Sequence, residues 1–403
     1  MTRVKGGLQK ALLPLLAVVT ALLFGAVVII LTDFDSLAKI GTDPLGAIGG
    51  AVGGVVAGYG AMLAGAFGDP VRILTAFETG NTKDIATAIR PLTETLVATT
   101  PLILTGLAVA ISFRAGMFNI GVDGQLMIGA LGATITAFAL QGQVPAFAIL
   151  LASIVVGVLS GAFWGFIPGL LKARTGAHEV ITTIMLNYIA AQIVFFALRS
   201  DTLRRPGSTA PVSKPLSGFV DIPLIINLPA IRLDYGFVIA LLMAVVVSFL
   251  LFRTTKGFEL RAAGFNLTAA RYAGMSAGGS MMLAMALSGA LAGLAGTFLV
   301  IGTVGQLDPA LSGGIGFTAI ALALLAGLRP GGVVVAALLF GALTSGGKSM
   351  GIESGIPVDL LVFIMALVIM FVAAPNLIRS IWRIKVVDPA KEAVAPHQPT
   401  ATV

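Results

Sequence analysis

Runs of about twenty residues without a single charge recur along this chain, and that pattern decides what it can fold into. Ala11–Leu31 is such a run. Others follow at Thr95–Phe113, Gly124–Leu171, Val180–Leu198, Tyr235–Phe252, Tyr272–Leu307, Pro309–Leu328, Pro330–Gly347 and Leu360–Ile378. A helix needs roughly 20 apolar residues to cross about 30 Å of hydrocarbon. The run from Gly124 is twice that length, so it is read as two spans broken near Gln141–Pro145; the run from Tyr272 is read as one span with a polar exit at Gly302–Asp308. The sequence therefore predicts an all-α membrane protein with about ten transmembrane helices. With 57% hydrophobic and 11% charged residues, no tract is polar enough for a large soluble domain, in which about 25% of residues are charged.

Composition also removes several chemistries. There is no Cys, which excludes disulfides and thiolate nucleophiles, and the two histidines, His178 and His397, lie far apart. No metal site and no catalytic residues are expected. The net charge of +7 fits the Lys/Arg bias of cytoplasmic loops. With the N-terminus inside and ten spans, the inside segments collect Arg3, Lys5, Lys10, Arg114, Lys172, Arg174, Arg253, Lys256, Arg261, Arg271, Arg329, Arg379, Arg383, Lys385 and Lys391. The resulting layout is a cytoplasmic tail 1–10, a membrane domain 11–378 and a disordered cytoplasmic tail 379–403. Loops 32–94 and 199–234 face the outside and loop 254–276 the cytoplasm. The bacterial inner membrane is the expected location. Ala11–Leu31 is read as a retained span, because no small-residue cleavage site follows it.

Leu45–Gly68 is uncharged and carries Gly46, Gly50, Gly54 and Gly58 at four-residue spacing. Such a row forms a flat helical face suited to close packing. An eleventh span here would invert the charge bias of everything downstream, so the segment is read as a re-entrant or surface-lying element on the outer side.

Three polar stretches interrupt the apolar pattern. Between Phe113 and Gln125, three glycines together with Asn119, Asp123 and Gln125 break what would otherwise be continuous hydrophobic sequence. This is either a discontinuous helix lining a path or a cytoplasmic turn with Asp123 capping the next helix. From His178 to Gln192, helical spacing puts Glu179, Thr183 and Asn187 on one face, with Tyr188 and Gln192 on a neighbouring stripe. Asn187 is either path-lining or an interhelical hydrogen-bonder; Glu179 and His178 are read as structural, near the inner interface. From Lys256 to Gly274, a loop too long for a tight turn carries Glu259, Arg261, Gly264, Asn266, Arg271 and Gly274. A short surface helix N-capped by Asn266 would give another protein something to grip, or would lie on anionic lipid.

The stretches Phe118–Gln125, Glu179–Ala190 and Arg261–Gly274, with Gly313–Gly327 followed by Pro330-Gly331-Gly332, resemble the nucleoside-type permeases. These fall within the wider group of bacterial ABC import permeases for branched-chain amino acids and simple sugars. The resemblance covers roughly residues 90–378. It implies a cobalamin-importer-like (type II) permease fold with inverted repeats around a central path. Asn119, Asp123, Gln125, Thr183, Asn187 and Gln192 would be candidates for that path, and the Lys256–Gly274 loop would be the helix that couples to a cytoplasmic ATPase. The implied partners are an ATPase with two fused nucleotide-binding domains, a second homologous permease and an extracytoplasmic substrate-binding lipoprotein. ATP and Mg2+ would sit on the ATPase, because this chain carries no Gly-x-x-x-x-Gly-Lys-Ser/Thr; Gly346-Gly347-Lys348-Ser349 is only a fragment of one. The chain departs from the family in having Asp123 where Glu is common and His178 where Asn is usual.

The expected function is thus the permease subunit of an ATP-driven importer for a small polar solute such as a nucleoside. A simple sugar or a branched-chain amino acid is the alternative cargo. An ion-coupled secondary transporter would need ionisable residues deep in the membrane, and Asp123 stands nearly alone there.

Overall fold

A computed structural model describes residues 2–383; of the tail 379–403 expected to be disordered, Arg379–Ile381 closes a helix and the part beyond Arg383 lies outside the described residues. The chain begins with α1 (Thr2–Thr32), α2 (Phe34–Leu37), α3 (Pro44–Phe67), α4 (Pro70–Thr79), α5 (Thr82–Arg114), α6 (Val122–Leu140), α7 (Ala146–Thr175) and α8 (Glu179–Ala197). After a long irregular loop come α9 (Gly236–Arg253), α10 (Thr255–Phe265), α11 (Leu267–Tyr272) and α12 (Ala277–Phe298), the last continuing as one π-helical stretch, Leu299–Val304. The fold closes with α13 (Ile315–Leu325), α14 (Pro330–Ser354), α15 (Val358–Ala373) and α16 (Pro375–Ile381). Among the described residues nine helices are long and apolar enough to cross a membrane, or ten if the bent α15–α16 pair counts as one span.

The closest helix packing is among α6, α7 and α12, and α5 and α12 are the most deeply buried of the long helices. Glycines make this possible. No Cβ fits at Gly161 beside the Gly289 carbonyl oxygen, at Gly165 beside that of Met285, or at Gly293 beside that of Gly157. Without a water-driven force between helices in lipid, such backbone-to-backbone contact is a main source of cohesion.

One end of the bundle gathers basic residues. Arg114 closes α5, Arg253 closes α9, Arg329 precedes α14, and Lys172 lies near the end of α7. The opposite end carries the Gln141–Pro145 turn and the 199–234 loop. That loop docks on the π-helical exit of α12 through Leu216 N–H to Gly305 O and Ser213 N–H to Leu307 O, at 2.8 and 2.9 Å.

Three predicted segments take a different form. Pro309–Leu328 is not a full crossing helix: only Ile315–Leu325 is helical, about 16 Å long at 1.5 Å per residue. The chain reaches it through Gly313 and Gly314, both at positive φ, where glycine carries no Cβ penalty. Leu360–Ile378 is broken at Ala374–Pro375, where the axis turns by 93°; Pro375 opens the next helix, a position where its missing N–H costs nothing. Leu45–Gly68 belongs to one unbroken helix of 24 residues. Its C-terminal part packs on α14, Gly58 near Met350 and Gly65 near Gly346, and the Ala66 carbonyl accepts from the Thr95 hydroxyl at 2.8 Å. Thr95 lies 19 residues before the end of α5 at Arg114, or about 28 Å along the helix, so α3 stops well short of the basic end. The chain then turns at Gly68 and passes through α4 into α5; where a re-entrant or surface-lying element was expected, α3 is by length and apolarity one of the nine span-length helices among the described residues.

Candidate functional site

The three polar stretches converge on two places, one inside the bundle and one at its basic end. Inside, residues 115–121 do not continue α5; they fold back into the bundle, and α6 starts only at Val122. Gly116, at φ +74°, makes the reversal. Asn119 is fully buried and organises the turn. Its Nδ2 donates to Ser288 Oγ at 2.9 Å and to Gln125 Oε1 at 3.1 Å, while its Oδ1 accepts from Gly121 N–H at 2.9 Å and from Gln125 Nε2 at 3.2 Å. Ser288 in turn donates to the Ala108 carbonyl at 2.7 Å, tying the turn to α5 and α12. Every polar atom of the Asn119 side chain has a partner, as burial in lipid-like surroundings demands.

Thr183 and Asn187 fasten the same turn to α8. Asn187 Oδ1 accepts from Gly124 N–H at 2.8 Å, and its Nδ2 donates to the Ile120 carbonyl at 2.9 Å. The Thr183 hydroxyl accepts from Ile120 N–H at 3.3 Å. Asn187 lies eight residues into α8, about 12 Å from its start, so these otherwise unpaired backbone groups are satisfied well inside the bundle. Asp123 does not cap its own helix: Gly121 is the N-cap of α6, and the Asp123 carboxylate instead accepts from Gly316 N–H at 2.8 Å, at the start of α13. Glu179 pairs with Lys172 at 2.8 Å, linking α8 to the end of α7.

Gln192 is exposed and lies on the outer face of α8 with Tyr188, which is 67% exposed. Together with Ile189, Ile193 and Phe196 they line an open groove of about 390 Å3. A polar stripe at this depth is unfavourable against lipid tails.

At the basic end, α10 and α11 form a projecting pair. Thr254 caps α10 by accepting from Gly257 N–H at 3.0 Å, and Asn266 caps α11 by accepting from Thr268 and Ala269 N–H, both at 3.0 Å. Glu259 pairs with Lys256 at 2.9 Å. Arg261 stands over the Phe252 ring, 5.2 Å from its centroid, and Arg114 over the same ring at 5.0 Å. Gly264 meets Arg114–Gly116 backbone to backbone, with no space for a Cβ between them, and Gly274 ends the pair at φ +77°. Phe265 and Tyr272 are 95% and 90% exposed. A groove of about 810 Å3 beside them is lined by Arg253, Lys256, Phe258, Glu259 and Arg261, among others. Sequence reasoning did not find Ser288, Ala108 and Gly316 as partners of the turn and of Asp123. Only tertiary contact brings them there.

A bundle of span-length apolar helices with one break closed by buried amides is an arrangement that suits a membrane permease. Residues 92–373 match the family described as branched-chain amino acid transport system / permease component, and the chain belongs to that family. Among curated relatives, the guanosine ABC transporter permease protein NupP of Bacillus subtilis is 37% identical over 93% of this chain and 96% of its own length. The nucleoside ABC transporter permease protein NupB of Lactococcus lactis is 32% identical over 92% of both chains. The glucose ABC transporter permease protein TsgB13 of Haloferax volcanii is 37% identical over 70% of this chain and 75% of its own. No solved structure matches the chain. These relatives are transporter subunits rather than enzymes, and nearly the whole of the chain aligns with the first two.

Proposed function

We propose that this chain is the permease subunit of an ATP-driven importer for nucleosides, set in the bacterial inner membrane with both termini in the cytoplasm. The observation that carries the cargo is its 37% identity, across 93% of its length, to a permease named for guanosine. The path runs beside the broken helix, bordered by Asn119, Asp123, Gln125, Thr183, Asn187 and Gln192. Amides and hydroxyls offer both donors and acceptors to base edges and ribose hydroxyls. In the closed arrangement Asn119, Gln125 and Asn187 use their groups on the turn itself, so opening the turn would free them for solute. The exposed Tyr188 and Gln192 stripe on α8 favours a second, homologous permease as the neighbour across the path.

Energy enters from outside the chain. The α10–α11 pair, with Glu259, Arg261, Gly264, Asn266, Arg271 and Gly274, is the seat for a cytoplasmic ATPase with two fused nucleotide-binding domains. Two almost fully exposed aromatic rings, Phe265 and Tyr272, support a covered surface there. ATP and Mg2+ are held by that partner, and an extracytoplasmic lipoprotein delivers the solute to the 199–234 face.

The test is uptake of radiolabelled guanosine by the chain reconstituted with its ATPase and second permease. ATP-dependent uptake is expected, and Arg271→Glu should leave the protein inserted while separating ATP hydrolysis from uptake. Uptake that survives ATP depletion but collapses with an ionophore would instead make it an ion-coupled carrier. A second reading, a simple sugar as cargo, is favoured by the similarity to the glucose permease; competition of unlabelled glucose with guanosine decides between them.

A further inference from the structure

The short helix α13 is gripped at both of its ends by two residues that flank one loop. At its start, the Asp123 carboxylate accepts from Gly316 N–H at 2.8 Å. At its end, Arg114 Nε donates to the Leu328 carbonyl at 2.6 Å, and a second guanidinium nitrogen reaches the Gly327 carbonyl at 3.4 Å. Leu328 is held in a left-handed conformation, φ +56°, as the chain leaves the helix. Arg114 is the last residue of α5 and Asp123 the second of α6, so the 115–121 turn lies between the two grips. The signs match the helix dipole: a carboxylate at the amino end, a guanidinium at the carboxyl end. A half-length helix has few turns of its own to anchor it, so these end contacts carry more of its positioning than they would for a full span.

The same unit touches the projecting pair. Gly264 of α10 packs against the backbone of Arg114–Gly116, and Arg114 and Arg261 share the Phe252 ring. We propose that Arg114 and Asp123 are paired positioning residues that clamp α13 to the 115–121 turn, so that displacement of α10 moves the turn and α13 together as one body. This rests on the reading of α10–α11 as the ATPase seat. It goes beyond that reading by naming what moves when the seat is pushed: the turn that Asn119 and Asn187 hold, together with the half-helix facing it. Backbone contact at Gly264 transmits a push with little slack, because no side chain there can rotate away.

The experiment uses the assembled complex with guanosine as probe and follows uptake and ATP hydrolysis separately. Arg114→Leu and Asp123→Leu should each lower uptake per ATP hydrolysed by about tenfold, the scale on which one charge-assisted hydrogen bond acts. The double variant should be no worse than either single one, since either loss frees the same helix. Asp123→Asn, which keeps an acceptor oxygen, should recover most of the loss. Losses that multiply in the double variant, or normal coupling in both single variants, would overturn the clamp.

Because the chain has no native cysteine, spin labels can test the motion in an otherwise unaltered protein, even if the leucine variants fail to insert. Phe118 and Phe317 are each 54% exposed, on the turn and on α13. Labels at Phe118→Cys and Phe317→Cys should keep a constant separation between nucleotide-free and nucleotide-trapped complexes, while the separation from Phe317→Cys to Val335→Cys on α14 changes. A changing 118–317 distance, or no change in either pair, would refute the rigid-body motion. Absence of ATP-dependent uptake by the wild-type complex would refute the importer reading instead, so the two failures are distinguishable.

Discussion

Two rows of glycine at four-residue spacing run through this protein, and they have opposite fates. On α7, Gly157, Gly161 and Gly165 lie against α12 so closely that no Cβ fits. On α3, Gly54 has only a carboxylate oxygen 3.9 Å away, the nearby Gly49, Gly53 and Gly60 face open space, and Gly46 meets only its own capping residue, Asp43. Gly58 and Gly65 alone touch α14 and the turn that follows it. Spacing makes a flat face; whether that face is used depends on a second helix being there with a matching one. The α12 row of Met285, Gly289 and Gly293 supplies it for α7, whereas α14 supplies it only for the last part of α3.

The comparison breaks most sharply by adding bulk. Gly161→Leu and Gly289→Leu should abolish accumulation of folded protein, because the obstructing atoms are backbone and the strain exceeds the usual 1–3 kcal/mol of overpacking, roughly, by forcing helices apart. Gly54→Leu should accumulate normally; size-exclusion profiles of the detergent-solubilised protein read both. If Gly161→Leu runs as the wild type does, the α7–α12 contact is not what holds the bundle.

Polar groups give the next largest effect, since the buried turn is closed by hydrogen bonds where the glycine rows are closed by shape. Asn187→Leu strands Gly124 N–H and the Ile120 carbonyl, at about 1–3 kcal/mol for an unmet buried group. Uptake should fall about tenfold while insertion persists. Unchanged uptake kinetics would make Asn187 dispensable to the turn.

A third close approach, at Gly302, leaves no room for a Cβ beside the Asp234 carboxylate at the loop end of the bundle. Burial pushes Asp234 up to about 6, against a hydrogen bond from Gly236 N–H that favours the charged form. The folded state therefore binds this proton more readily than the unfolded chain, so the penalty is full above pH 6 and fades as the pH falls towards 4. Melting temperature should rise on acidification from pH 7.5 to 5.5, and Asp234→Asn should flatten that slope. An equal slope in the variant would assign the dependence to other groups.

The smallest change is expected where the row is open. Gly53→Ala adds a methyl to empty space and improves helix propensity by up to about 1 kcal/mol. The variant should melt at or slightly above the wild-type temperature, and a clear drop would mean that the α3 face is covered.

Much of this was legible before any fold was seen. Uncharged runs of span length placed α1, α6, α7, α8, α9, α12 and α14, because lipid imposes length and apolarity on each helix separately. The residue types Thr254 and Asn266 suit the caps they form, and the Gln141–Pro145 break separates α6 from α7. The failures share one cause. Pro309–Leu328 looks like a span because apolarity does not reveal that Gly313 and Gly314 turn the chain before a half-helix begins. Of the two readings of the Asp123 stretch, the one that made it a cap for α6 does not hold, and nothing within its own segment points to Gly316.

The sequence by itself determined that this is a helical membrane protein, which end of it is basic, and which stretches are too polar to be plain spans. Those are properties of single segments in contact with their solvent. Only the tertiary structure decided which glycine row is packed, that Asn119 and Asn187 hold one buried turn, and that Arg114 and Asp123 grip the two ends of α13. Each of these depends on a partner 63 or more residues away along the chain, and no local pattern encodes the identity of such a partner.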